Sequence, residues 1–304
     1  MQKFSQKIKF LLKIWQFGIE TGVKMEIEIR AMNFDEINFA VDLASKEGWN
    51  PGLNDAFAFY NTDPEGFLIG FAEGKPVACI SAVSYENKFG FIGFYIVVPE
   101  YRGKGLGIKI WNAAMEKLKG QNIGLDGVIA QQENYKKSGF KLAYSNIRFE
   151  SVSTDAKFED RNIVDTNSLP FEMIADYDKK FSPADRTTFI KNWLKMPQSF
   201  SFAFIENDQI KGYGVIRKCG TGYKVGPLFA EITGIAEKLF LKLSSSVEKN
   251  TPVYLDVPEV NSEGMKLAEK YGMKKVFGTA RMYTGEFPNL PINKIFGVTT
   301  FELG

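Results

Sequence analysis

The stretch Phe94-Tyr95-Ile96-Val97-Val98-Pro99-Glu100-Tyr101-Arg102-Gly103-Lys104-Gly105-Leu106-Gly107 decides the reading of this chain. Its first residues close a long apolar strand over 89–98, and Pro99 ends the ladder because it has no N–H to donate. Glycines then turn the backbone, and a helix opens near Gly105. Successive N–H groups of residues 102–107 point into one concavity at the positive end of that helix, a geometry that binds phosphate oxygens. The glycines let the chain approach a ligand with no Cβ in the way, and Arg102 and Lys104 add charged donors. Other phosphate loops fit worse: GxxxxGK[ST] is absent, and GxGxxG fails at Ile108. A plain glycine turn is the competing reading of the same residues.

Outward from that stretch, strands and helices alternate. Upstream, Glu26-Ile27-Glu28-Ile29-Arg30 opens a strand over 26–31, and Asn33 with Glu36 has the capping-box spacing for a helix over 34–48. Trp49-Asn50-Pro51-Gly52 breaks that helix, and a second short one runs to about Tyr60. Residues 67–72 and 76–84 form a hairpin about Glu73-Gly74-Lys75. Downstream come a helix to about Lys119, a strand over 125–130, a short helix over 131–138 closed by Gly139, and further strand over 140–150.

After a polar, irregular stretch the order repeats. Helices are expected at about 172–179 and 183–195, with Ser182, Pro183 and Asp185 as cap, first-position proline and first-turn acid. Strands over 200–206 and 210–217 flank Asn207-Asp208, and another precedes Gly226-Pro227. A helix over 231–247, a strand over 253–257 and a helix over 261–271 complete the copy. One offset of 133 residues sets Gly74 on Asn207, Ser138-Gly139-Phe140-Lys141 on Tyr271-Gly272-Met273-Lys274, and Arg148 on Arg281. Two copies of one α/β unit are therefore expected.

Composition limits the chemistry. The 304 residues suit two domains of about 150. There is no histidine, which excludes His-based triads, HExxH zinc sites and any His proton shuttle. Cys79 and Cys219 are the only cysteines, too few for a four-cysteine zinc site or a disulfide framework, so no metal is expected and the compartment reads as reducing and cytoplasmic. Residues 1–24 hold Lys3, Lys7, Lys9, Lys13 and Lys24 against Glu20, a net +4 that leaves −2 for the rest and no basic patch for nucleic acid. That extension reads as a basic helix with Phe4, Ile8, Leu11 and Trp15 on one face, a pattern that suits a membrane surface or targeting. The favoured reading is an upstream start ahead of Met25. Lys13 interrupts the apolar run, so the segment does not span a membrane.

The glycine-rich stretch closely resembles motif A of the GNAT superfamily of N-acetyltransferases, Arg/Gln-x-x-Gly-x-Gly/Ala after an apolar strand. Arg102, Gly105 and Gly107 occupy its places, and the resemblance covers about 26–150. It implies that the strands 89–98 and 125–130 splay apart. The backbone of Ile96, Val97 and Val98 then pairs with the pantetheine amides of acetyl-CoA like an added strand. It places the pyrophosphate on Arg102, Gly103, Lys104, Gly105, Leu106 and Gly107, and the oxyanion on a backbone N–H near Val97 or Val98. Tyr135, four residues before Gly139-Phe140, is implied as general acid for the departing thiolate, since a phenol is protonated at neutral pH. Packing of its short helix is the other reading of Tyr135. No base is identified: 89–98 holds no acid, and three routes stay open, a water held by Tyr95, a proton relay through Glu86 or Glu100, and an amine that arrives neutral. Cys79, on an apolar strand, reads as core.

In the second half Lys224-Val225-Gly226-Pro227-Leu228-Phe229-Ala230 stands where the loop should be, and the 133 offset puts Ala268 at the place of Tyr135. This half is not expected to bind CoA. Asn261, and segments such as Leu255-Asp256-Val257-Pro258 and Ala280-Arg281-Met282-Tyr283, resemble the C-terminal domain of YitH-type two-domain acetyltransferases. Tyr95, Asp256, Glu259 and Tyr283 are candidate acceptor contacts. The expected organisation is a basic extension over 1–24, an acetyl-CoA-binding GNAT domain over 25–150, a linker over 151–170 and a degenerate GNAT-like domain over 171–304. The fold class is α/β with mixed sheets in tandem. The resemblance implies transfer of an acetyl group from acetyl-CoA to a primary amine, small-molecule or peptide, by direct attack. The alternative is a non-catalytic acyl-CoA-binding sensor or regulatory protein. The acceptor, the acyl-chain preference and the oligomeric state stay open.

Overall fold

The first half is built from β1 (Glu28–Ala31), α1 (Ile37–Lys46), α2 (Asp55–Thr62), β2 (Phe67–Ala72), β3 (Lys75–Tyr85), β4 (Phe89–Val97), α3 (Leu106–Lys117), β5 (Asn122–Val128), α4 (Gln132–Lys137) and β6 (Lys141–Val152). The second half follows with β7 (Ile163–Asp165), α5 (Phe171–Asp178), α6 (Thr187–Trp193), β8 (Ser199–Glu206), β9 (Gln209–Lys218), β10 (Tyr223–Ala230), α7 (Thr233–Ser244), β11 (Pro252–Pro258), α8 (Ser262–Lys270), β12 (Lys274–Tyr283) and β13 (Ile295–Gly297). This computed structural model describes residues 25–153 and 157–304, so the readings of residues 1–24 lie outside the described residues.

Local chemistry explains most of these boundaries. Asn33 and Glu36 bond reciprocally in the capping-box pattern, Asn33 Oδ1 accepting from the Glu36 N–H at 3.1 Å and Glu36 Oε2 from the Asn33 N–H at 2.9 Å, but they close a turn ahead of α1, whose N-cap is Glu36 and not Asn33. Glu73 and Gly74 take positive φ in the β2–β3 turn, as do Asn207 and Asp208 in the β8–β9 turn. Three expectations change. α6 begins only at Thr187, with Arg186 rather than Ser182 as its N-cap, and Asp185 Oδ1 accepts from the Thr187 N–H at 2.7 Å just ahead of it. β10 runs on through Gly226 and Pro227 with a register shift against β9, so 224–230 is strand and not loop. Residues 163–165, inside the stretch read as linker, pair with β8.

The sheet order is β1-β2-β3-β4-β5-β12-β6-β11-β10-β9-β8-β7, with β13 beside β10. The two halves have exchanged their last strands. β12, from the second half, lies antiparallel between β5 and β6, and β6, from the first, lies antiparallel against β11. One mixed sheet therefore runs through both halves. Each exchanged strand carries a buried arginine that forks onto an aspartate of the strand it joins. Arg148 meets Asp256 at 2.7 and 2.8 Å, and Arg281 meets Asp126 at 2.9 and 2.5 Å.

Helices cover both faces. α3 and α4 lay Leu106, Ile110, Trp111 and Tyr135 on one face of the first half, and α7 and α8 lay Leu239, Phe240, Leu243 and Leu267 on the second. On the other face α1, α2, α5 and α6 share one core that joins the halves. At its centre Phe59 of α2 stacks on Trp193 of α6 at 5.9 Å and meets Phe94 of β4 edge-on at 5.7 Å. Burying side chains of this size stabilises by about 1.5–3 kcal/mol each.

Candidate active site

β4 and β5 are paired in parallel only over 89–92 and 122–125. Beyond Ile92 the strands part. The cause lies in β4: Phe94 takes a φ of 49°, and the register against β3 shifts between Cys79 and Ser81. This bulge turns the strand away from β5. β3 still pairs with Ile96 and Val97 on one side, while the other side meets no strand among the described residues. An unpaired edge inside a sheet is a template for an extended ligand.

The loop 98–105 follows. Gly103 and Gly105 both sit at a φ of 75°, which favours glycine, and Gly105 is the N-cap of α3. Among the described residues, the N–H groups of residues 103–107 donate to no turn or cap acceptor. Lys104 places its Nζ 4.8 Å above the Tyr101 ring and forms no ion pair among the described residues. Arg102 is used otherwise. Its Nε donates to Val97 O at 2.8 Å, its guanidinium pairs with Glu47, and its N–H reaches Pro99 O at 3.2 Å. It braces the loop against the end of α1. The Val98 N–H donates to Val77 O at 2.9 Å, so it closes the β3 ladder and is not free for an oxyanion.

Aromatic rings line the α3 side of the gap. Tyr95 lies 5.2 Å from Trp111, and Trp111 stacks on Tyr135 at 5.6 Å. A Cβ at Gly127 would fall 2.2 Å from the Tyr135 ring, and one at Gly107 would fall 2.7 Å from Tyr95 Oη, so both glycines admit a ring. Burial, then the nearby Tyr95, pushes the Tyr135 hydroxyl up, which keeps it protonated at neutral pH. Burial raises Tyr95 as well. Among the described residues, Tyr135 makes no side-chain hydrogen bond, so its proton is uncommitted.

The four acceptor candidates do not converge. Tyr95 is on the α3 side. Asp256 is buried against Arg148; burial works to raise its carboxyl, and the guanidinium outweighs that and holds it below the ordinary value. Glu259 is exposed after β11. Tyr283 is buried among Phe89 and Phe287, at 6.3 and 5.9 Å.

A polar cluster that the sequence did not reveal lies under the α1–α2 loop. Arg148 donates to Trp49 O at 2.7 Å and Lys224 to Asn50 O at 3.0 Å. Asp55 accepts from Arg217 at 2.8 and 3.2 Å and from the Gly52 N–H at 2.9 Å. Burial, then Arg148, pushes the Lys224 amine down. The one sequence signal for this cluster was the alignment of Arg148 with Arg281. The C-terminal tail reaches β3 and β4, with Tyr85 Oη donating to Leu303 O at 2.9 Å and Glu302 O lying beside Gly93.

The second half shows the same parting, differently filled. β10 pairs with β11 only over 223–225 and 253–255, and β13 then lies against β10 at Leu228 and Phe229. The Val298 N–H closes the other side onto Asp256 O at 2.9 Å. Only residues 231–232 separate β10 from α7, against 98–105 between β4 and α3, so there is no room for a phosphate loop. Among the described residues, no helix is long and apolar enough to cross a membrane, and no acidic or cysteine group is arranged to hold a metal.

Comparison with known proteins agrees with this architecture. Residues 33–140 match the acetyltransferase (GNAT) family model, and residues 174–297 match a second acetyltransferase (GNAT) domain model. The holothin acyltransferase of Pseudoalteromonas sp. (strain SANK 73390) is 32% identical over 275 residues, 90% of this chain and 92% of that protein. The uncharacterized N-acetyltransferase YitH of Bacillus subtilis (strain 168) is 23% identical over 64% of this chain and 70% of its own. In fold, a putative acetyltransferase from Pyrococcus horikoshii superposes with a TM-score of 0.79 at 23% identity, over 95% of this chain and 100% of that one. A tandem GNAT protein from the clavulanic acid biosynthesis pathway superposes at 0.60 and 12% identity, over 86% and 100%. With two GNAT domains in tandem and an acyltransferase relative aligned along nearly its whole length, the chain belongs to the GNAT acetyltransferase family and is an acyltransferase.

Proposed function

We propose that the first half binds acetyl-CoA along the open side of β4 and transfers the acetyl group to an amine by direct attack. The observation that carries this is the coincidence of an unpaired β4 edge with uncommitted N–H groups at 103–107. The edge suits the pantetheine amides, and the loop, helped by Lys104, suits the pyrophosphate. The amine nitrogen attacks the thioester carbonyl and gives up one proton to a base, the C–N bond forms, the C–S bond breaks, and Tyr135 gives its proton to the departing thiolate. Because the 32% identical relative is a holothin acyltransferase, holothin is the first acceptor to assay.

The test is a thermal shift with acetyl-CoA, run beside Gly105→Glu, followed by CoA release in the presence of holothin. At about 100 times its dissociation constant a ligand stabilises by about 2.7 kcal/mol. For 304 residues unfolding together that is a shift of roughly 4 °C. Glu at a positive φ strains the loop by about 1–3 kcal/mol, so the quantity compared is the ligand-induced change in each protein. A shift in wild type that the variant lacks supports the reading. Equal shifts, or none, overturn it.

A further inference from the structure

We infer that Glu302, carried across the face of β4 at Gly93, is the group that takes the proton from the attacking amine. This rests on the acetyl-transfer reading above.

β4 itself supplies no acid. At Gly93, where pairing with β5 has just ended, a Cβ would fall 2.2 Å from Glu302 O and 2.9 Å from Ser81 Oγ. The glycine thus admits the tail onto β4 beside the gap. The tail is firmly held. Tyr85 Oη donates to Leu303 O at 2.9 Å, Arg186 Nη1 donates to Gly304 O at 3.1 Å, and a Cβ at Gly226 would fall 2.4 Å from Thr299 O.

The buried acids differ in what they are committed to. Asp55, Asp178 and Asp256 are each forked by an arginine. Glu302 is 3% exposed and forms no ion pair among the described residues; its carboxylate accepts a hydrogen bond from the Thr300 hydroxyl. The charged groups that face it are Arg148 of β6, Arg217 of β9 and Lys224 of β10. Both arginines are already neutralised by Asp256 and Asp55, and Cys219 lies among the same groups. Three buried polar atoms around this tail have no partner: Ser81 Oγ, Arg217 Nη1 and Thr299 Oγ1. Buried polar atoms are nearly always satisfied, so such a set marks a place where a polar ligand or its water completes the bonding.

In the step, nitrogen bonds to the acyl carbon and carbon–sulfur cleaves. The nitrogen's proton passes to the Glu302 carboxylate, and sulfur takes the Tyr135 proton. Solvent then returns both residues to their starting state.

The experiment uses the full chain with acetyl-CoA and holothin, and follows CoA release from pH 5 to 9 (about one unit per step) beside the acetyl-CoA thermal shift. Glu302→Gln is expected to lose about 100-fold in kcat/KM and to keep the thermal shift. Thr300→Val removes the hydroxyl that holds the carboxylate in place, so kcat/KM falls about tenfold while the thermal shift is kept. Turnover of Glu302→Gln within about threefold of wild type overturns the assignment. So does a Thr300→Val enzyme with wild-type kcat/KM, which decides the matter even if the glutamine variant does not fold. Failure of the underlying reading shows separately, as a wild-type protein with no acetyl-CoA shift.

Discussion

In the first half β4 leaves β5 after Ile92 and its far side stays open; in the second, β10 leaves β11 after Val225 and β13 lies in the gap. The same parting of two parallel strands leaves an open edge in one copy and is filled by core in the other. The loop at 98–105, against two residues at 231–232, makes the same distinction. The gap and the fold are therefore separable: a three-residue strand and a shortened loop close the gap while leaving the fold intact. Tyr135 lies beside the open gap with its hydroxyl uncommitted, while Ala268, at the matching distance from the end of α8, is fully buried.

The largest effect is expected where the halves depend on each other. Arg281→Ala leaves Asp126 buried without a counter-charge, and Arg148→Ala does the same to Asp256. Each should cost about 3–5 kcal/mol in urea unfolding. Because each half lends the other a strand, both halves should unfold in one transition. Two separate transitions would break the view that the exchange couples them. Replacing a whole pair, as in Arg281→Met with Asp126→Leu, should cost far less. The pH dependence carries a definite sign. The Asp256 carboxyl is held below its unfolded value, so its stabilisation is present above about pH 4 and fades as pH falls through the lower folded value. In Arg148→Ala that carboxyl rises, and acid sensitivity begins at a higher pH.

Tyr135→Phe comes next and sharpens the functional side of the comparison. Loss of a general acid should lower turnover by about 100-fold or more while the acetyl-CoA thermal shift is kept. Unchanged turnover would make the tyrosine a packing residue of α4, no different in kind from Ala268.

The strand that fills the second gap can be tested too. A Cβ at Gly297 would fall 2.7 Å from Leu255 and 3.2 Å from Leu228. Gly297→Val should push β13 from β10 and cost about 1–3 kcal/mol, read from the melting temperature. It should not create a second acetyl-CoA site, since the phosphate loop is missing there. Two bound equivalents by titration would overturn that.

What the sequence made plain was local. The capping box at Asn33 and Glu36, the turn glycines at 103 and 105, and the strand ended by Pro99 each act through neighbours a few residues away. The strand exchange was not readable, because β6 and β12 occupy equivalent places in the repeat and either half could house either strand. The paired charges hid for a related reason. Arg148 and Arg281 differ by 133 residues while Asp126 and Asp256 differ by 130, since α8 is three residues longer than α4. Gly226-Pro227 reads as a turn by its dipeptide, yet β9 and β13 hold it in a strand. Glu302 lies more than two hundred residues from Gly93, and only the folded tail brings them together.

The smallest contrast expected concerns the two residues that open the helices after the gaps. Asn261 Oδ1 caps α8 through the Gly264 N–H at 3.0 Å, and its Nδ2 donates to Ile295 O at 2.9 Å, which ties β13 into place. Gln131, at the same place before α4, forms no cap and faces no filling strand. Asn261→Ala removes a cap and leaves a buried carbonyl without its donor, so it should cost about 1–2 kcal/mol. Gln131 is half-buried and its Oε1 accepts only from the exposed Asn134 Nδ2 at 2.7 Å, so Gln131→Ala should cost less, about 0.5 kcal/mol. If the two substitutions cost the same, β13 is held by its ladder alone. If Asn261→Ala costs more, the second gap is closed by an anchor that the first gap has no means to form.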